Sequence, residues 1–369
     1  MKNETNINFT LDIFRIIKSK YILKKIFSLP KITRSLNIIR YNKSIQERCD
    51  INLNTYIKVF KVINKIEIKI EPTNHFSYYN KDKKKTFINI ENPKYAKYCH
   101  IYFNNNDEEI KRNYYTKNDN VSSIKIILDY NFNFTSLHKL FERCICIEKI
   151  TFIKCRKNIT DMSYMFFQCT SLKEIKFINF NTENVTDMSF FFCDCLSLKK
   201  LDLSCFNTEN VTDMKNMFNN CGNLEELNIS SFDTNKVTNM RNMFNNCCEL
   251  KELDISNFST RNVTDMKKMF NNCMSLTNLD LSDFNTRNVK DMNSMFSNCH
   301  HLKSLDISYF NTYNVIYMNK LFFNCYSLEK LSDFYFNTEN VIDMNDIFNN
   351  CFYKIKTKIK ESLSHFKCK

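Results

Sequence analysis

The sequence predicts an α/β solenoid of 26-residue units, preceded by a helical and then a β-rich N-terminal region. One cysteine recurs every 26 residues: Cys169, Cys195, Cys221, Cys247, Cys273, Cys299, Cys325 and Cys351. A methionine column keeps step through Met162, Met188, Met214, Met240, Met266, Met292, Met318 and Met344. No insertion or deletion interrupts either column between about Ile159 and Cys351. Such fixed self-similarity marks one supersecondary unit stacked on itself.

Residues 1–58 read as a helical head. Ile22, Leu23, Ile26 and Phe27 fall at helical spacing, Pro30 interrupts, and Leu36, Ile38, Ile39 and Ile45 suggest further helix. Residues 59–135 read as a small β-rich or α+β linker domain. Lys65 to Ile70 alternates strictly, and Thr86 to Ile90, His100 to Phe103 and Ser123 to Leu128 are further strand candidates. The repeats occupy residues 136–351. Their first unit is degenerate, with Leu137, Leu140, Phe141, Cys144, Ile147, Ile150 and Phe152 on the template but one residue missing before the next unit. Residues 352–369 suggest a capping helix whose apolar stripe is Ile355, Ile359, Leu363 and Phe366.

Within the unit Val211 to Lys236, Met214, Met217 and Phe218 have helical spacing, and Thr212 or Asp213 suits an N-cap. Leu227-Asn228-Ile229 alternates as a short strand does, and Asp233 to Lys236 is a polar turn. Each unit is therefore expected to be a short helix plus a short strand, stacked into a parallel sheet. A unit offers about eight large apolar side chains, each contributing roughly 1.5–3 kcal/mol when buried. Ordering its residues costs about 1.5 kcal/mol apiece, more than that sum, so one unit alone does not fold. The Met and Phe columns read as core. The Thr182, Thr208, Thr234, Thr260, Thr286, Thr312, Thr338 column reads as a hydrogen-bonded turn ladder.

Composition sets further bounds. Hydrophobic residues make up 43% of 369, which excludes global disorder. There is a single glycine, Gly222, so left-handed backbone positions must fall to Asn or Asp. The net charge of +13 is uneven: residues 1–135 hold 25 Lys+Arg against 13 Asp+Glu, whereas residues 136–351 hold 22 against 26. The basic head reads as a solvated lysine-rich surface, and no nucleic acid is expected as a partner. Cysteines in one column run parallel in successive rungs, a poor geometry for bridging; they read as free thiols in a reducing compartment. The apolar patch Phe9 to Ile17 is broken by Asp12 and Arg15, Cys49 follows Glu47 and Arg48 rather than a lipid-attachment pattern, and no 18-residue apolar run occurs. A cytoplasmic location is the expectation.

Leu201 to Cys221, LDLSCFNTENVTDMKNMFNNC, resembles the BspA-type leucine-rich repeat, a variant with an Asn-Val-Thr-Asp-Met core known from bacterial surface lipoproteins. The resemblance covers about 215 residues. It implies a leucine-rich-repeat-like solenoid and a binding or adhesion role without enzymatic activity. Asp333 departs from the pattern, standing where other units place Phe177, Leu203, Ile229, Ile255, Leu281 or Ile307, which implies an irregular seventh strand. Tyr21 to Phe27, with Leu36 to Gln46, is similar to an F-box, a helical module that docks on a ubiquitin-ligase adaptor, although the opening Leu-Pro and the tryptophan are missing. That resemblance implies Ile22, Leu23, Ile26 and Phe27 as adaptor-docking residues; a generic helical cap explains the same pattern.

No catalytic constellation stands out, and one glycine rules out a glycine-rich phosphate loop. Cys144, Cys146 and Cys155, or Cys193 with Cys195, overlap core slots and lack zinc-finger spacing, so neither metal nor cofactor is expected. The candidate partner-binding positions are strand residues that point outward: Lys176, Asp202, Asn228, Asp254, Asp280 and Asp306, with Ser332 continuing the column. Stacked carboxylates repel, so this row needs partner cations, counter-ions or internal hydrogen bonds. It reads either as an acidic strip for a basic partner or as turn-stabilising Asp copied with the repeat. Variable neighbours (Lys199, Lys200, Glu225, Glu226, Lys251, Glu252, Lys303) are expected to tune selectivity. The expected function is a non-enzymatic protein-interaction scaffold. The alternatives are the substrate receptor of an F-box ubiquitin ligase, and a secreted adhesin in which Asn184 and Asn210 would be glycosylation acceptors.

Overall fold

A computed structural model describes residues 65–73, 84–90, 96–129, 135–155, 159–332 and 336–351. The helical head with Ile22, Leu23, Ile26 and Phe27, the capping helix over 352–369 and the irregular strand at Asp333 lie outside these residues.

The described residues of the N-terminal β-rich segment form β1 (Ile66–Pro72), β2 (Lys85–Thr86), β3 (Cys99–Phe103), β4 (Glu109–Ile110), β5 (Tyr114–Tyr115) and β6 (Ile124–Leu128). Strict alternation buries Ile66, Ile68 and Ile70 on one side of β1. The repeat region supplies β7 (Ile147–Lys154), β8 (Glu174–Phe177), β9 (Lys200–Asp202), β10 (Glu226–Asn228), β11 (Ser304–Leu305) and β12 (Lys330–Leu331). One sheet, ordered β4-β3-β6-β1-β7-β8, spans both regions. β1 pairs antiparallel with β6 and β7, and β7 then pairs parallel with β8, where the repeats begin. The linker segment and the repeats thus share one sheet and one core, within one compact unit. Parallel pairing recurs between β9 and β10 and between β11 and β12.

The expected short helix in each unit is absent. Among the described residues of the repeats there is no regular helix; the 3-10 turn Lys117–Asp119 lies outside them. Residues 214–220 instead run as linked turns, with Asn216 and Asn220 left-handed at φ 55° and 60°. Their backbone bonds alternate. The amides of Met214, Asn216, Phe218 and Asn220 donate to carbonyls of the next unit, Asn239, Arg241, Met243 and Asn245. Those of Met217, Asn219 and Cys221 donate back to Met214, Asn216 and Phe218. Every backbone amide from 214 to 221 except that of Lys215 is thereby paired with a carbonyl, and Lys215 N–H donates to Asp213 Oδ1 at 2.9 Å. No helical ladder is needed. The left-handed positions recur in every unit, and Gly222 is not among them. Asn and Asp hold many, as expected, but Tyr164, Phe190, Lys268 and Lys320 hold others.

Side chains extend the joints. Phe141 to Phe348 form one parallel stack at 26-residue steps after the first, with centroids 5.6 Å apart at Phe218–Phe244 and Phe244–Phe270. Each column cysteine points its thiol at a carbonyl of the preceding unit, as Cys247 Sγ does at Phe218 O (3.2 Å). Burial pushes the column thiols from Cys169 to Cys299 well above their ordinary range, Cys299 to about 12. Buried Thr234 donates Oγ1–H to Ser259 O (2.9 Å) and accepts from Ser259 N–H (2.8 Å), which is the turn ladder read from the sequence.

The first unit has no predecessor, and one asparagine substitutes for it. Asn89 N–H donates to Leu140 O (2.8 Å), and its Nδ2 donates to Glu142 O (2.6 Å) and Lys139 O (3.1 Å). Leu140 and Glu142 are the carbonyls that in later units accept from the unit before.

Candidate interaction face

Strand alternation sets the outward row. In β9, Leu201 is buried while Lys200 and Asp202 are exposed. Lys176, Asp202, Asn228, Asp254, Asp280 and Asp306 are all exposed, one per unit on one face. The first three line a groove of about 730 Å³ together with Glu174, Lys200 and Glu226. Glu174, Ile178 and Cys205 also line it and were not singled out from the sequence, although Glu174, Lys176 and Ile178 share a face by the two-residue period.

The row changes character along its length. At the groove, ions pair: Lys176 with Glu174 (2.5 Å), Lys200 with Glu226 (2.5 Å) and Lys199 with Glu225 (2.9 Å). Further on, the carboxylates are held by their own turns. Asp202, Asp254, Asp280 and Asp306 each accept the amide two residues ahead, at 2.9–3.1 Å. The Ser256 hydroxyl adds a bond to Asp254 at 2.7 Å. These bonds hold Asp254, Asp280 and Asp306 below the usual carboxylate range, against the repulsion that Asp254 and Asp306 exert on Asp280. Asn228 makes the same turn through Oδ1, accepting from Ser230. The turn role and the exposed charge therefore coexist.

Among the described residues no group of three His, Cys, Asp or Glu is arranged to hold a metal ion, and no helix is long and apolar enough to cross a membrane. Cys144, Cys146, Cys155, Cys193 and Cys195 are buried in the core.

A chain of near-identical turn-and-strand units joined through their backbones is a repeat protein. The profile of a family described as "Mycoplasma protein of unknown function, DUF285" matches it twice, over residues 135–253 and 246–362. The chain belongs to this family, a BspA-like repeat family. Comparison with curated proteins and with solved structures gives no match.

Proposed function

We propose that the chain is a non-enzymatic, leucine-rich-repeat-like scaffold that binds a basic segment of another protein along its strand face. Lys176, Asp202, Asn228, Asp254, Asp280 and Asp306 form the contact row, and the groove at its start seats the partner's flanking residues. The observation that supports this reading most is the charge left over. Among the described residues, none of Asp202, Asp254, Asp280 and Asp306 is in an ion pair, whereas the lysines and glutamates beside the groove neutralise each other. Aligned carboxylates without cations repel one another and are relieved by a cationic partner.

The test is affinity purification with the triple variant Asp254→Asn, Asp280→Asn, Asp306→Asn. Asn keeps the turn bond, as Asn228 does natively, so folding is preserved while three charges go. Loss of a partner recovered by the wild type is expected, and recovery that rises as salt is lowered. Equal recovery by wild type and variant refutes this face.

A further inference from the structure

A second concave site lies on the turn edge of the repeats, where the columns stop filling their own space. In earlier units the left-handed column is self-complementary: Tyr164 stacks on Phe190 with centroids 4.4 Å apart, and Asn242 Nδ2 donates to Asn216 Oδ1 at 3.0 Å. In the fifth to seventh cysteine-bearing units it reads Lys268, Ser294, Lys320, one short side chain between two long ones, with Asp346 next in the column. The neighbouring asparagine ladder, in which Asn271 Nδ2 donates to Asn245 Oδ1 at 2.7 Å, also ends here, because Ser297 occupies the next rung. The result is a cleft of about 460 Å³, lined chiefly by Lys267, Lys268, Ser294, Ser297, Asn319 and Lys320.

Its polar groups are donors in excess. No carboxylate lines it. Lys267 Nζ lies 4.0 Å from Asp291 Oδ2 and is partly compensated. Lys268 and Lys320 form no ion pair among the described residues; Lys320 sits over the Phe323 ring at 5.6 Å. The Asn319 Oδ1 is buried without a hydrogen-bond partner. It is an acceptor, so the phosphate itself does not satisfy it; a hydroxyl of the ester's body is the group that would. Ser294 and Ser297 place their hydroxyls along the same wall. A buried polar group without a partner costs about 1–3 kcal/mol, so a ligand hydroxyl that reaches Asn319 Oδ1 is favoured.

We infer that this cleft binds the phosphate group of a small phosphomonoester. A phosphate carries close to two negative charges at neutral pH and accepts several hydrogen bonds, which matches two or three lysines and the serine hydroxyls. Lysine serves phosphate as a point-charge donor. The volume exceeds that of a phosphate ion and leaves room beside Phe323 and Asn298 for a compact polar body.

The test is calorimetric titration of the full chain with inorganic phosphate and with glucose 6-phosphate, against sodium chloride at matched ionic strength. Saturable binding of one or both is expected; tighter binding of the ester identifies a phosphomonoester, and equal binding identifies free phosphate as the source. Lys268→Gln with Lys320→Gln should weaken binding at least about tenfold, from the loss of charge-assisted bonds. Ser294→Asn should weaken it with no charge changed, because Asn refills the gap as Asn216 and Asn242 do and tolerates the left-handed backbone. Arg287→Gln with Lys290→Gln, an equal charge change outside the cleft, should leave binding intact. Absence of saturable binding, or an equal loss in the Arg287/Lys290 variant, overturns the inference.

Discussion

Asn245 and Asn246 are neighbours in sequence, occupy adjacent ladders, and differ in one respect. Asn245 donates to Asn219 (2.6 Å) and accepts from Asn271 (2.7 Å). Asn246 donates to Asn220 and accepts from Asn272 (2.5 Å). Replacing either with Ala or Gly therefore removes two partly buried side-chain bonds, about 1–3 kcal/mol in sum. Only Asn246 is left-handed, at φ 60°. There an alanine Cβ costs about 1–2 kcal/mol, while glycine avoids this but loses about 0.5–1 kcal/mol more chain entropy. Glycine should be the milder substitution at 246 and alanine the milder at 245. The Ala-minus-Gly contrast should differ between the sites by about 1–2 kcal/mol, the left-handed penalty itself. Urea unfolding of the four variants, followed by circular dichroism with m-values compared, measures this. If alanine is milder at both sites by one margin, the left-handed backbone is not what Asn246 is there to permit.

Thr234→Val should cost about 2–4 kcal/mol, because the half-buried Ser259 N–H and C=O both lose their partner, the buried Thr234 hydroxyl; exposed Thr238→Val should stay within about 0.5 kcal/mol, and the same urea titrations compare them. Among the described cysteines a maleimide reagent at pH 8 should label exposed Cys205 first, with the buried column, including Cys299 at about 12, reacting only on unfolding, as peptide mapping would read. Asp119 is held down to about 2, chiefly by its bidentate bond from Arg112 and then by Thr116. A depressed carboxyl stabilises the fold above its unfolded value near 4 and loses that contribution as pH falls toward 2. Arg112→Met should flatten the fall in the urea midpoint over that window.

The period, the core columns and the threonine ladder are legible in the sequence because every unit puts the same side chain in the same slot. The helix reading fails for a physical reason. Met214, Met217, Phe218 and Cys221 sit at i, i+3, i+4 and i+7, and linked turns that reverse every four residues bury the same positions. Asn216 and Asn220, poor helix-interior residues that tolerate positive φ, were the available signal. It is diluted because Lys268, Phe190 and Tyr164 hold equivalent places. The outward strand row is legible from alternation through Leu201, Asp202 and Leu203; the groove at its start depends on how neighbouring strands stack. The capping role of Asn89 has no local trace, since its acceptors lie about fifty residues away.

The forward-donating amides make each joint a copy of the last, so copy number is a free variable of this architecture. A duplicated or deleted block of 26 residues meets its neighbours with all donors and acceptors in step, whereas a block of another length mismatches them unless the surplus is looped out. Relatives should therefore differ in length by whole multiples of this block. Each step lengthens the outward acidic row by about 4.8 Å, so under the proposed binding role copy number sets the reach of that face without redesigning any contact.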